Sequence, residues 1–190
     1  DYLFVVDTNI ASLKTDQVVD REVNYELRPD RDDLIAKVSI VYNNQGRFTW
    51  KTTRLRSWTR VYVPKDSQLI SAKGLMDNDR SNKPGQVEIS EENGKTVFAG
   101  FIATEPQQVG TLSFEYKLPP ELAYQFMWHG YSLLVQKQAG TIQPGLSVKL
   151  NFDSRVKDFS PLDSNPRLDN PNTVIFKTDL RTDREFNVKF

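Results

Sequence analysis

The sequence has no cysteine among its 190 residues, which removes disulfides, thiolate nucleophiles and thiolate metal sites in one step. It has one histidine, His129, so a histidine-built metal centre is arithmetically excluded and only a carboxylate site stays open. Net charge is absent too: 25 Lys and Arg stand against 25 Asp and Glu, and no global field draws the chain onto nucleic acid or an anionic membrane. Apolar runs are short, none approaching the roughly 18 residues that a membrane helix needs, and no basic-then-apolar signal peptide is evident. The nine glycines are scattered. Neither a phosphate loop nor a dinucleotide fingerprint occurs, so no cofactor is expected.

What is present is alternation. Val19, Val23, Tyr25 and Leu27 alternate with Asp20, Glu22, Asn24 and Glu26, and Ala36, Val38, Ile40 and Tyr42 alternate with Lys37, Ser39 and Val41. Leu112, Phe114, Tyr116 and Leu118 repeat the pattern, as do Leu146, Val148, Leu150 and Phe152, and finally Phe186, Val188 and Phe190. A period of two with β-branched and aromatic residues on one side describes strands that bury one face. Turn signals separate the runs at Asn43-Asn44-Gln45-Gly46, Asn93-Gly94, Pro106-Gln107-Gln108, Pro119-Pro120 and Pro144-Gly145. The spacing predicts an all-β, antiparallel β-sandwich of about ten strands, immunoglobulin-like in layout. Helix is expected only as a turn or two near Asn9–Val18 and a short piece at Glu121–Met127 that starts after Pro120. One domain over residues 1–190 is expected, with a core over 19–152, a long polar excursion or linker over 153–172, and a closing hairpin over 173–190.

Charge is segregated along the chain. Residues 34–65 hold seven basic side chains and no acid, between acidic blocks on both sides. Within "RFTWKTTRLRSWTRVYVPK", residues 47–65, parity predicts a first strand with Phe48 and Trp50 inward and Arg47 and Lys51 outward. In the second strand Val61 and Val63 claim the core, which leaves Trp58, Arg60 and Tyr62 as an outward stripe with Arg54 and Arg56 nearby. Cations beside flat rings suit a sugar or a single-stranded nucleic acid. The bland alternative is that the rings cover a strand edge or pack under a loop while Arg60 pairs with a neighbouring acid. At zero net charge nucleic acid is not expected; an anionic envelope polymer, a glycan or a protein partner fits the stripe better.

Other constellations are weaker. Asp77, Asp79, Ser81 and Glu88 fall at positions 1, 3, 5 and 12 of a calcium-loop register, but position 6 is Asn82 where glycine belongs and position 8 is Pro84. A polar hairpin loop explains the same residues, and no metal site is expected. "HGYS" at His129 lacks the elbow of nucleophilic serines, and His129 reads as the end of a turn before a strand from Tyr131. Glu91 and Glu92 beside Asn93-Gly94 read as a solvated turn, and nothing holds them or Glu105 and Glu115 at catalytic separation.

Three segments, "DYLFVVDTNIASLKTDQVVDREVNYEL", "RLRSWTRVYVPKDSQL" and "GKTVFAGFIATEPQQVGTLSFEYKLP…YSLLVQKQAGT", together resemble the C-terminal part of the bacterial domain of unknown function 4012 family. The resemblance covers about residues 1–150, departs at Asp66 where the family usually has Gly, and supplies no catalytic residues. It implies an exported protein at a bacterial cell surface, held by a membrane helix upstream of the chain, which opens on Asp1 and reads as a processed piece. The expected role is structural or adhesive, with Trp58, Arg60, Tyr62, Arg54 and Arg56 as binding residues. Two other roles stay open: an enzyme or accessory acting on envelope glycans through carboxylates near Asp77 and Glu91, and a scaffold whose edge strand pairs with another copy.

Overall fold

The computed structural model describes residues 1–190 apart from Ser12 and Asn82, with the backbone alone for residues 125–129. Among the described residues the chain forms fourteen strands and one α-helix. In order they are β1 (Tyr2–Asn9), β2 (Val19–Asp30), β3 (Asp33–Asn44), β4 (Leu55–Pro64), β5 (Gln68–Lys73), β6 (Glu88–Glu92), β7 (Lys95–Thr104) and β8 (Gln108–Lys117). The helix α1 (Pro120–His129) follows, then β9 (Tyr131–Gln136), β10 (Gly145–Asn151), β11 (Asp158–Ser160), β12 (Arg167–Asn170), β13 (Thr173–Asp179) and β14 (Arg184–Lys189). A 3₁₀ turn at Thr15–Val18 occupies the other expected helical position.

The strands form two seven-stranded sheets, ordered β11-β14-β9-β1-β4-β7-β6 and β12-β13-β10-β2-β3-β8-β5. Alternation on each strand drives this stacking: Val23, Tyr25 and Leu27 of β2 and Val38, Ile40 and Tyr42 of β3 are buried, and Leu112, Phe114 and Tyr116 of β8 join them. Rings from the two sheets interlock, with Phe98 of β7 6.0 Å from Phe114 of β8 and Phe176 of β13 4.8 Å from Phe186 of β14. Each large aromatic buried this way contributes on the order of 2–3 kcal/mol of apolar transfer.

Three expectations need correction. The sheets are mixed rather than antiparallel: β9 runs parallel to β1, and β10 runs parallel to β2. Alternation reports which face is buried and carries no information on partner direction, so these long-range pairs are silent in the sequence. Residues 173–190 do not form a hairpin, because β13 lies in one sheet against β10 and β12 while β14 lies in the other against β9 and β11. The excursion at 153–172 supplies an edge strand to each sheet, β11 and β12. The core accordingly extends past 19–152 at both ends, from Leu3 to Val174, Phe176, Phe186 and Val188. Among the described residues no helix is long and apolar enough to cross a membrane.

Candidate functional site

The stripe on β4 is built by strand parity. Leu55, Ser57, Thr59, Val61 and Val63 are buried, and Arg56, Trp58, Arg60 and Tyr62 between them are half-buried on the opposite face. Because β4 lies between β1 and β7, register lays out three cross-strand rows on the outer face. Phe4, Tyr62 and Val97 form one, Val6, Arg60 and Ala99 the next, and Thr8, Trp58 and Phe101 the third. The rings of Phe4 and Tyr62 lie 5.6 Å apart, and at the edge of the patch Lys95 Nζ sits 4.9 Å from the Tyr2 ring centre. The result is a half-exposed aromatic surface on the face turned away from the core, with Val97 and Ala99 buried between its rings.

The cations expected to serve it are largely spoken for. Arg54 and Arg56 both donate to Asp79 Oδ2, at 2.8 and 2.6 Å, and Arg54 also pairs with Glu105. The hydrogen bonds from Arg56 and Arg54 hold the Asp79 carboxyl below the usual carboxylate range, and those to Glu105 and Asp79 raise Arg54. Arg60 lies 3.8 Å from Glu92, whose Oε2 accepts a 2.7 Å hydrogen bond from Tyr62. Partial burial, and then that bond, pushes the Tyr62 hydroxyl upward. The acidic block that follows the basic one therefore folds back onto it, and the stripe presents rings rather than free positive charge.

The first half of the basic stretch is no strand, which corrects the expectation for Phe48 and Trp50. Residues 45–54 form a loop in which Phe48 is 67% and Trp50 87% exposed. Thr49 and Thr52 explain the failure of the pattern. The Thr52 hydroxyl donates to the Arg47 carbonyl at 2.7 Å, while Thr49 Oγ1 accepts from the amides of Lys51 and Thr52 at 3.1 and 3.0 Å. Side-chain bonds of this kind close a turn and compete with a ladder.

The remaining candidates disperse. Asp79 is bound to two arginines, Asp77 accepts from Asn78 at 3.0 Å, and Asn82 lies outside the described residues. That commits Asp79 of the calcium register to two arginines, and among the described residues no group of three or more His, Cys, Asp and Glu is placed to hold a metal ion. Glu91 pairs with Lys65 at 3.1 Å. The catalytic alternative needs Asp77 and Glu91 to converge on a cavity, and neither lines the grooves of about 280 Å³ against Asp7, Asp16 and Arg21, about 340 Å³ against Asp32, Asp33 and Tyr124, or about 560 Å³ against Glu22, Asp163 and Asp179. The His129 side chain lies outside the described residues, and its backbone ends α1.

One cluster was invisible to motif reading. Asp7 stands at an inward position of β1, opposite Thr59, and its side chain is 6% exposed. Its Oδ1 accepts from Thr59, Tyr42 and Ser57 at 2.7, 2.8 and 3.1 Å, and its Oδ2 from Arg21 Nε at 2.9 Å. Arg21 also binds Asp16 and lies 5.7 Å from the Tyr42 ring centre. Burial first, and the Asp7 charge after it, push the Tyr42 hydroxyl well up, so it stays a donor. Every polar atom named here faces another, which marks a structural ion pair closing the space between the sheets. The only sequence signal was an acid inside the apolar run "YLFVVDTN".

No protein-family model matches the sequence, and no curated protein does. Among solved structures, a candidate nutrient-binding protein from Legionella pneumophila is similar over 96% of this chain and 69% of its own, at 6% identity and a TM-score of 0.49. Leukotriene A4 hydrolase from Saccharomyces cerevisiae is similar over 90% of this chain and 28% of its own, at 9% identity and a TM-score of 0.45. Likenesses this distant carry no function across.

Proposed function

We propose that this chain is a non-catalytic recognition module at the outer surface of a bacterial cell, structural or adhesive in role, whose outer sheet face docks an envelope glycan. The observation that carries the reading is the aromatic patch of Phe4, Trp58, Tyr62 and Phe101 on one half-exposed face. Sugar rings present C–H faces that stack on such rings, and Arg60 and Glu92 stand beside them as hydrogen-bonding groups. With Arg54 and Arg56 held by Asp79 and Glu105, the ligand is read as a glycan recognised mainly by stacking, rather than a polyanion held by charge.

Support for the compartment comes from the resemblance to the domain of unknown function 4012 family, whose members look exported and anchored by an upstream helix. As a two-sheet module the chain shares with immunoglobulin-like domains a plan of loops grouped at the ends of a sandwich, although its strand pairing differs.

The test is retention on isolated bacterial cell wall. Trp58→Ala combined with Tyr62→Ala is expected to lower the bound fraction about tenfold, as loss of one or two stacked rings should. Raising salt is expected to change retention little. Retention that survives both substitutions, or that collapses with salt, refutes stacking on this face.

A further inference from the structure

At the end of the sandwich where β3 gives way to β4, the loop of residues 45–54 holds Trp50 and Phe48 out in solvent, 87% and 67% exposed. Large rings at such exposure are uncommon unless something covers them. The loop is not free to fold them away. Thr49 and Thr52 lock its turn through the bonds described above, their hydroxyls lie 3.0 Å apart, and the Thr49 amide donates to the Thr52 carbonyl at 2.9 Å.

A second loop is tied to it, since the Lys14 amide donates to the Lys51 carbonyl at 3.0 Å and the Thr53 amide to Thr15 Oγ1 at 3.1 Å. That loop brings Ile10 and Leu13, 52% and 38% exposed, to the same end. Bases accompany them: Lys14, Arg47 and Lys51 belong to these loops, and no ion pair engages them among the described residues. Nearby acids are already engaged, Asp16 by Arg21, Asp20 by Gln45 and Glu105 by Arg54.

We propose that this loop end is a membrane-docking tip, with Trp50 and Phe48 entering the interfacial layer of an anionic bilayer and Lys14, Arg47 and Lys51 meeting its headgroups. Rings that partition to the interface, a rigid turn that fixes their direction and unpaired cations at their base are the components of peripheral membrane binding. A bilayer suits them better than a protein groove because the apolar groups project as a tip and the three free cations outnumber Asp20, the one nearby acid held by a neutral partner rather than a cation. The inference does not rest on the glycan reading, whose residues lie on the sheet face.

The test is co-sedimentation of the chain with large vesicles, either of phosphatidylcholine alone or of phosphatidylcholine and phosphatidylglycerol in a roughly 7:3 ratio. The wild-type chain is expected to sediment with the anionic vesicles and to be released by salt. Phe48→Ser with Trp50→Ser is expected to lower the bound fraction at least about tenfold, and Arg47→Ser with Lys51→Ser to abolish the preference for anionic lipid. Trp58→Ala is expected to leave binding unchanged. Thermal unfolding of each variant shows that it is folded, since the substituted side chains are exposed. Failure of the wild-type chain to bind anionic vesicles at low salt, or undiminished binding by the folded Phe48→Ser/Trp50→Ser variant, overturns the proposal.

Discussion

Replacing Asp7 by Ala removes the carboxylate that faces Arg21 across the interior. The Arg21 side chain is 10% exposed, so without Asp7 it recovers hydration only where it borders the groove at the loop end. It keeps Asp16, which is 44% exposed, and this places the cost at the lower end of what an orphaned buried charge loses, about 3 kcal/mol. The three hydroxyls suffer less. Tyr42 and Thr59 lie 2.9 Å apart and Thr59 and Ser57 3.3 Å apart, so they can bond one another. With a urea slope of roughly 2 kcal/mol per molar for a chain of this size, the unfolding midpoint should fall by about 1.5 M.

A second variant separates charge from packing. Asp7→Leu combined with Arg21→Met removes both charges and fills the space, and should recover most of the loss, as apolar replacement of buried ion pairs does. Urea titrations followed by far-ultraviolet circular dichroism at one protein concentration provide the measurement. A shift below about 0.5 M for Asp7→Ala, or a double variant as unstable as the single one, would show that the pair is hydrated and contributes little.

Two further outcomes follow from local geometry. Gly74 sits at φ +86°, and a Cβ there would meet the Thr111 carbonyl oxygen at 1.9 Å, so Gly74→Ala should cost more than about 2 kcal/mol and lower the thermal midpoint by several degrees, whereas an unchanged midpoint would mean that β5 and β8 separate freely. Asp79 titrates below its ordinary value because it accepts from Arg56 and Arg54; its contribution is complete above the unfolded-state pKa and is lost as pH falls through the lower folded value, so Asp79→Asn should flatten the acid limb of stability below about pH 4 and leave neutral-pH behaviour less dependent on that loop.

How much was legible in the sequence depends on whether the signal was local. The strand at Leu55–Pro64 was, because Val61 and Val63 can be buried together only if Trp58, Arg60 and Tyr62 face away, and the structure places them so. The turn at Asn93-Gly94 was, since both residues adopt positive φ, 52° and 68°. Asp66, at the position where the resembled family usually has Gly, adopts φ 67°, a conformation that glycine reaches without strain. What failed was either non-local or a local pattern with two meanings. Five residues alternating ring and base at 47–51 fit a strand template, but two threonines spaced three apart fit a closed turn, and the turn won. Thr173–Asp179 and Arg184–Lys189 read as hairpin partners because they are adjacent in sequence, whereas β13 pairs with the distant β10 and with β12 just before it, and β14 pairs with β9 and β11 in the other sheet.

The same non-locality changes what the basic block means. Seven bases without an acid between residues 34 and 65 suggest an anion site when the chain is read as a line. Folding brings Asp79, Glu92 and Glu105 from the next block against Arg54, Arg56 and Arg60 on β4. In the loop, by contrast, Arg47 and Lys51 form no ion pair among the described residues. Charge that was uniform in sequence is thus sorted by the fold into a compensated sheet face and an uncompensated tip. A variant carrying Arg54→Ser and Arg56→Ser should accordingly act on the stability of the Asp79 loop, while Arg47→Ser and Lys51→Ser should act on association; the reverse result would mean that the ion pairs to Asp79 and Glu105 do not persist in solution.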